Sequence, residues 1–405
     1  MKRAALLLSI CASAWAQQRL TLDEAVAKAV EQHPLLAEGQ RRIEAAQGQQ
    51  RQAGLRYNPK LILQSENARI PASTPFIYGR ETDNFAYLQQ TFETAGKRGR
   101  RVELASQGLR GAELELSVLR RQVQRSVVLA YWAAAGAQRM YELLEESRKN
   151  FQQIVEYHEI RVKEGAMAES DLLRVRLEAG RIALGANNAK LDASRARIEL
   201  FRAMGQTQFP AVLFSDPLEL KEDRAMLVDA SAALERRPEV LLARARLEQA
   251  RRALTLAQAN ARPNYEALFG YKRTAGFDTV IAGLQVDLPF ANRNQGNIET
   301  AAAEIKAAES NVAATEAIVR AEVEAAQAEY QMRRQQVREF LGRIRAEAAE
   351  TSKIAQAAYR LGGADLLRLL DAERLRIEID QLNYRAMMEY RQSIAALEFA
   401  LGVRP

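Results

Sequence analysis

The chain has 405 residues, of which 27% are charged and 6% aromatic, with ten prolines and one cysteine. A single cysteine excludes a disulfide-stapled domain, and few prolines beside abundant Ala, Arg, Glu, Gln and Leu speak for long helices rather than the two or three compact domains this length would otherwise hold. The formal net charge is +7 with both signs interspersed; a nucleic-acid binder needs a clustered basic face, and only the run Lys97, Arg98, Arg100, Arg101 approaches one, so no nucleic-acid partner is expected and that run is read as a charged helix start beside a lipid interface.

In chain order, Met1-Lys2-Arg3 followed by apolar Ala4 to Ile10, with Ala14-Trp15-Ala16 before Gln17, reads as a signal peptide over 1–16. Cys11 either leaves with this signal or, against the bulky Ile10 before it, carries a lipid. No later run of 18 apolar residues follows, so no transmembrane helix is expected. Residues 21 to 55 read as a helix opened by Thr21 with Glu24 three positions on, a capping box, and kinked or restarted at Pro34. After Asn58-Pro59, Leu61 and Leu63 begin a strand, a loop covers roughly residues 69 to 83, and Asn84 to Phe92, where Phe85 and Tyr87 alternate, forms the second arm of a hairpin.

From Gly99 to Gly165 no proline occurs, and Val102, Leu109, Leu116, Val123, Ala130, Ala137, Leu144 and Phe151 keep one seven-residue frame. That period implies a supercoiled helix, on the order of 100 Å long at 1.5 Å per residue. Residues 168 to 204 carry two heptad stripes, one of Val175, Ile182, Ala189 and Ala196, the other of Leu177, Leu184, Leu191 and Ile198. Stripes two residues apart lie about 200° apart around the axis. An ordinary amphipathic helix has one buried face, whereas this one has a sticky seam on nearly opposite sides, as a stave of a closed ring would. Residues 205–225, with Gly205, Pro210 and Pro217, read as a linker.

The plan then repeats. Gly99, Gly165 and Gly205 recur as Gly296, Gly362 and Gly402 at a constant offset of 197, and Pro34 and Pro59 recur as Pro238 and Pro263 at an offset of 204. The chain is therefore a tandem duplication, with repeat 1 over 17–204 and repeat 2 over 226–405. In the second repeat Tyr265, Ala267, Phe269 and Tyr271 alternate with polar residues, as do Val280, Ala282, Leu284, Val286 and Leu288. These strands are about long enough to cross a bilayer when tilted, with one apolar and one polar face as in a barrel with a wet interior; a soluble hairpin packed on one face would alternate in the same way. The second long helix runs through Ile305, Val312, Val319, then shifts by four to Val323, Tyr330, Val337 and Ile344, a stutter that locally unwinds a supercoil. Four strands alone would leave edges open in lipid, so three copies are expected to close a twelve-stranded barrel.

Several motifs resemble the TolC family of outer-membrane efflux channels. They are Thr21-Leu22-Asp23-Glu24-Ala25 with His33-Pro34, Tyr57-Asn58-Pro59 before the first strand, Gly96-Lys97-Arg98 after the second, and Leu288-Pro289-Phe290 after the fourth. Phe290-Ala291-Asn292-Arg293-Asn294-Gln295-Gly296 most resembles the outer-membrane components of cobalt, zinc and cadmium efflux systems. The resemblance implies a mainly α fold with a small β part: a homotrimer whose outer-membrane β-barrel continues as an α-helical tunnel in the periplasm. It also implies a periplasmic adaptor and an inner-membrane pump of the resistance-nodulation-division type as partners.

A conduit needs no catalytic group, and the sequence contains no phosphate loop, nucleophile elbow, HExxH or paired cysteines. It is read as no enzyme, without cofactor. His33 and His158 lack helix-spaced partners and are read as surface or seam residues, and Met387-Met388 as packing, so no metal site is expected; a metal cargo would pass without a tight cage. The resemblance places gate residues beside the repeat turns at Gly165 and Gly362. Asp171 stands where the family has an acidic gate residue, Tyr359 where it has a tyrosine that ties neighbouring helices, and Asp371 where it has one of two aspartates ringing the aperture. Arg368 occupies the other aspartate position and Ala364 replaces a latch arginine. Asp171 and Tyr359 are expected to share a carboxylate to phenol hydrogen bond. The competing readings are a drug or polypeptide export channel of the same fold, and an exported coiled-coil adaptor without a pore.

Overall fold

The structure is a computed structural model; it describes residues 18–69, 75–219 and 228–403. The signal peptide with Cys11, part of the first hairpin loop and part of the linker lie outside the described residues. The chain forms β1 (Gln18–Leu20), α1 (Leu22–Gln32), α2 (Pro34–Ala53), β2 (Lys60–Glu66), α3 (Tyr78–Glu81), β3 (Asp83–Phe92), α4 (Lys97–Lys163), α5 (Glu169–Ala203) and β4 (Val212–Phe214). It continues through α6 (Ala230–Arg236), α7 (Pro238–Asn260), β5 (Tyr265–Thr274), β6 (Phe277–Val286), α8 (Gln295–Gln335), a π-helical turn (Gln336–Leu341), α9 (Gly342–Arg360) and α10 (Leu366–Ala400). The described residues fall into two compact units: one from Glu38–Val118 and Leu234–Ile318, the other from Met1–Ala37, Leu119–Ala233 and Val319–Pro405.

The first of these units holds a four-stranded antiparallel sheet ordered β2-β3-β5-β6. Ala275 and Gly276 turn β5 into β6, both with positive φ, as a two-residue type I′ hairpin requires. The register gathers most of the sheet's exposed apolar side chains on one face, while Ile62, Phe85, Tyr87, Leu268 and Ile281 lie on the other among its polar residues. Leu61, Leu88, Phe269 and Ala282 stand opposite one another across the four strands, as do Leu63, Ala86, Tyr271 and Val280. On the other face Gln64, Phe85, Lys272 and Thr279 form one row and Thr91, Glu266 and Gln285 another. Phe85 and Tyr87, conspicuous in the alternation of β3, thus lie on the polar face. Lys272 is 5.0 Å from the Phe85 ring centroid, and Tyr87 sits over Gly270, where a built Cβ would come within 2.3 Å of the Ala86 carbonyl oxygen and the Tyr87 backbone.

In the basic run at the start of α4, three of the four cations have partners within the chain and Arg98 is exposed. Lys97 is buried and donates to the Arg262 carbonyl at 2.5 Å and to Asn264 Oδ1 at 2.6 Å. Arg100 donates to the Thr255 carbonyl at 3.2 Å and Arg101 pairs with Glu93. These cations staple the root of the sheet to α7, because the residues after α7 leave carbonyls that need donors.

In the second unit, Thr21 caps α1 as expected: its hydroxyl accepts from Glu24 N at 3.2 Å, and Glu24 accepts from Thr21 N at 3.0 Å. The helix ends at Gln32 and restarts at Pro34. β1 and β4, three residues each, pair in parallel, so part of the stretch read as a linker forms a strand. Both were too short to show a pattern. Tyr131 of α4 is fully buried, and its one hydroxyl hydrogen lies between two acceptors, the Leu20 carbonyl oxygen at 3.0 Å and Asp216. Asp216 also accepts from Leu22 N at 2.7 Å, which joins this small sheet to the start of α1.

The stutter of the second long helix is visible in its burial: Val319, Val323 and Tyr330 are buried. Beyond them the seam departs from expectation. Val337 and Ile344 are only half-buried, and Leu341, Ala348 and Ala355 carry the seam instead. The π-helical turn widens the helix at that point, so the step from Tyr330 to Leu341 takes eleven residues in place of seven. The matching stretch of the first repeat, 139 to 144, is uninterrupted α-helix.

Candidate functional site

The four helices α4, α5, α9 and α10 meet around two tight reversals. Gly165, with φ +71°, turns α4 into α5, and Gly362, with φ +77°, turns α9 into α10. Each reversal is closed by the same bond pattern: Ala166 N donates to Arg161 O at 2.9 Å, and Gly363 N to Ala358 O at 2.8 Å. Such a helix C-terminus needs a left-handed residue, in which any side chain costs roughly 1–2 kcal/mol. Asp365 caps α10 by accepting from Arg368 N at 2.9 Å. Beneath the reversals Phe151, Val155, Val175, Ile182, Leu369 and Ile377 pack in one apolar cluster, and Tyr359 lies against it.

Tyr359 is the centre of the polar chemistry. Its hydroxyl is 2.8 Å from His158 Nε2, and the two rings stack at 5.9 Å with 9° between their planes. Tyr157 meets the histidine edge-on at 5.5 Å. His158 is 1% exposed, and its Nδ1 lies 2.7 Å from the Ile154 carbonyl oxygen. A carbonyl only accepts, so Nδ1 carries the hydrogen and, in the neutral ring, Nε2 accepts from the Tyr359 hydroxyl. The expected bond from Asp171 to Tyr359 is therefore not the one made in this chain: the hydroxyl is engaged by the stacked histidine. Asp171 is half-buried and close enough that its charge, after burial and Tyr157, helps push the Tyr359 phenol above its ordinary range.

Asp371 is exposed and lies 3.7 Å from Arg374 one turn on. Arg374 also reaches across to Glu178 of α5, which Arg181 holds from its other side at 2.6 Å. Glu178 is 2% exposed. Burial opposes its charge, but the Arg374 and Arg181 guanidiniums outweigh burial and hold the carboxyl below the usual range. Arg368 and Ala364 take no part: Arg368 is exposed, and its backbone alone is used in the cap. The structure thus gathers Asp171, Tyr359 and Asp371 near one end of the α4, α5, α9 and α10 bundle, where the contacts between helices are made by His158 with Tyr359 and by Glu178 with Arg374. The sequence did carry a signal for these. His158 continues the heptad frame seven residues after Phe151, and Glu178 falls between Val175 and Ile182 on the inner seam, so both are polar residues at core positions.

A cleft of about 680 Å³ opens beside the pair, lined by Phe151, His158, Lys353, Tyr359, Glu373 and Arg376 among others. On its α9 and α10 wall Glu373, 4% exposed, accepts from Ser352, Gln356 and Arg376. Asp380 in turn takes Arg376 at 3.3 Å and Arg345 at 2.8 Å. The buried carboxylates are matched by donors, as burial demands. Met388 lies against Gly136 and Met387 accepts from Asn383 at 3.8 Å. Among the described residues no group of three or more His, Cys, Asp or Glu is placed to hold a metal ion, and no helix is long and apolar enough to cross a membrane.

The outer membrane efflux protein family matches residues 25–206 and again 230–403, one copy on each repeat. The chain belongs to this family. Outer membrane efflux proteins are TolC-like channels, passive parts of efflux pumps rather than enzymes, and the chain has their fold: mainly helical, with a small strand part and a tandem repeat. It is similar to the cobalt-zinc-cadmium resistance protein CzcC of Cupriavidus metallidurans, at 22% identity over 88% of this chain and 83% of that protein. Among solved structures, the CmeC outer membrane channel of Campylobacter jejuni superposes with a TM-score of 0.79 at 18% identity, covering 94% of this chain and 85% of that one. The open state of the MtrE outer membrane channel of Neisseria gonorrhoeae gives 0.78 at 18% identity, covering 94% and 88%.

Proposed function

We propose that three copies of this chain form the outer-membrane conduit of a tripartite efflux pump, joined on the periplasmic side by an adaptor and an inner-membrane pump of the resistance-nodulation-division type, with heavy-metal cations as cargo. The observation that carries the pore is the sheet. Leu61, Leu63, Leu88, Phe269, Val280 and Leu284 are all more than half exposed and share one face, an arrangement that water penalises and lipid does not. The opposite face carries the polar residues Gln64, Gln89, Thr91, Glu266, Lys272 and Gln285 among Ile62, Phe85, Tyr87, Leu268 and Ile281. The outer strands β2 and β6 each pair on one side only among the described residues, and open edges in lipid are costly. Twelve strands from three copies remove them. The exposed second stripe of α5 supports the same assembly: Leu177, Leu184, Leu191 and Ile198 are 41–75% exposed, while Val175 and Ile182 of the first stripe are buried within the chain.

The metal cargo rests on the likeness to CzcC and to the Phe290 to Gly296 motif. The polar face of the sheet offers no tight cage, which suits a pore that must release what it admits. Membrane fractionation with crosslinking tests the assembly, and a soluble monomer would overturn it. Cysteines placed at Thr74 and Ala275 test topology, since both hairpin ends are expected outside the cell and should react with an impermeant thiol reagent. A deletion strain tests cargo: sensitivity to zinc, cobalt or cadmium supports the reading, and sensitivity to drugs alone transfers it to drug export. An adaptor without a pore would not need the exposed apolar face of the sheet.

A further inference from the structure

The row that ends the apolar face of the sheet is aromatic. Phe92 stands opposite Tyr265, and Tyr265 opposite Val286; Phe92 is 55% and Tyr265 44% exposed. At the far end of the same face Arg273 lies 3.9 Å from Asp278. Tyr265 and Arg273 stand eight residues apart on β5, roughly 27 Å along a strand and roughly 20 Å of bilayer depth at a barrel strand's tilt, most of the height of such a barrel's apolar band. The Phe92 and Tyr265 row thus marks the level where hydrocarbon gives way to headgroups on the side from which the helices leave, and aromatic rings favour that level.

A cleft of about 570 Å³ opens beyond that row, where β6 passes into α8. Leu288, Pro289, Phe290 and Ile298 give it apolar walls, and Arg262 and Arg293 line it as well. Leu288 is 66% and Phe290 79% exposed, and Leu288 continues the alternation of Leu284 and Val286, so the walls extend the apolar face. Both arginines are exposed. Arg293 makes one long bond, from Nε to the Pro289 carbonyl at 3.4 Å, and among the described residues neither guanidinium pairs with a carboxylate. Arg262 also lines a second cleft with Glu266 and Asp287; Glu266 is already held by Gln89 and Thr91, and Asp287 continues the alternation of Gln285 on the polar face. The first turn of α8 holds no acid, so the positive end of that helix adds to the two arginines.

We propose that this cleft seats an anionic phospholipid of the periplasmic leaflet, its phosphate between Arg262 and Arg293 and one acyl chain along Leu288, Phe290 and Ile298. The inference rests on reading the sheet as part of a membrane-spanning barrel. A guanidinium fork matches phosphate oxygens two at a time, and apolar walls beside it suit an acyl chain rather than water. Free phosphate would use the arginines and leave the walls wet. A zwitterionic lipid would bring its own cation against two guanidiniums. An anionic lipid meets both demands, and with one cleft per chain a trimer holds three such lipids at one level, which fixes the depth of the barrel where its strands join the helices.

The test is native mass spectrometry of the detergent-purified trimer after addition of phosphatidylglycerol or of phosphatidylcholine with the same acyl chains. The parent should retain phosphatidylglycerol over phosphatidylcholine by about tenfold or more, as two arginines at an anionic lipid surface imply. Arg262→Gln with Arg293→Gln should remove that preference and Ile298→Ser should weaken retention of both lipids, while Arg385→Gln, at an exposed position of α10, should change neither. Equal retention of the two lipids by the parent overturns the proposal, and so does displacement of the lipid by millimolar inorganic phosphate, which would reduce the cleft to a site for the free anion. Benzoylphenylalanine in place of Phe290, irradiated in intact cells, gives a readout that does not depend on the arginine variants folding. An adduct of phospholipid mass supports the proposal; an adduct with a second copy of the chain shows the cleft filled by a neighbour and overturns it. A chain recovered as a soluble monomer overturns the channel reading itself, and this inference with it.

Discussion

The two stripes of α5 make unequal demands on the molecule, and a pair of substitutions separates them. Leu177 is 75% and Leu184 67% exposed in the single chain. Burying a whole leucine side chain is worth about 1.5–3 kcal/mol, so covering the exposed fractions of these two contributes about 2–4 kcal/mol per seam and about 6–12 kcal/mol over the three seams of a trimer. Leu177→Gln with Leu184→Gln should therefore weaken association by several orders of magnitude while leaving each protomer's helices intact. Ile182→Ala should do the reverse. Ile182 is 4% exposed within the protomer, and its truncation should cost about 2–5 kcal/mol of protomer stability. The assay is the crosslinked trimer fraction in mild detergent, with helical content followed by circular dichroism. A double glutamine variant as trimeric as the parent would show that this stripe faces something other than a second copy.

Glu178→Gln keeps the shape of a buried side chain but leaves Arg374 without a charged partner, so thermal unfolding at neutral pH should show a loss of about 1–3 kcal/mol. Because the folded carboxyl titrates below its ordinary value of 4.5, the stabilisation is complete above that value and fades as pH falls through the lower folded one; parent and variant should converge only in that acid range. Gly270→Val drives a side chain into the Ala86 and Tyr87 backbone, and the fraction of protein recovered in the outer membrane should collapse. Arg374→Gln frees the exposed Asp371 carboxylate from its neighbour and should raise cation selectivity, read as a reversal potential, whereas Asp371→Ala should lower it.

Much of this fold could be read from spacing alone, because its elements are long and its periods strict. The glycines at 165 and 362 mark the two helix reversals, the Thr21 capping box forms, and the strands of the second repeat alternate as their residues imply. What stayed hidden depended on contacts distant in sequence. Lys97 looks like surface charge until the carbonyls of Arg262 and its neighbours come into view. The alternation of Phe85 and Tyr87 marks a strand but not which face they share, until the register sets them opposite Lys272 and Gly270. The π-helical turn has no sequence signature, only its effect, a seam that moves from Val337 to Leu341. At the tip the sequence marks His158 only as a polar residue at a core position, since its contact with Tyr359 spans 201 residues.

The duplication clarifies why the contacts at the tip diverged while the backbone did not. Glu159 and Arg176 of the first repeat pair across their coil at 2.7 Å, and the residues 197 positions on, Gln356 and Glu373, make the same cross-coil contact at 2.5 Å. The geometry has been copied, with the acid moved to the other helix and the arginine lost. The consequences run along the coil. In the first repeat Val155 fills the inner seam, and its counterpart Ser352 instead feeds a hydrogen bond to buried Glu373, which then needs Arg376, as Asp380 needs Arg345. Apart from His158, the inner seam of α4 near the tip is held by apolar packing of Leu144, Phe151 and Val155, which tolerates small displacements without a discrete cost. That of α9 and α10 is held by directional bonds, and a buried carboxylate that loses one donor costs far more than a methyl group that shifts. A coil built this way has distinct arrangements rather than a continuum of them. Together with the π-helical turn at its root, this sets the second repeat apart from the first, in which α4 runs unbroken.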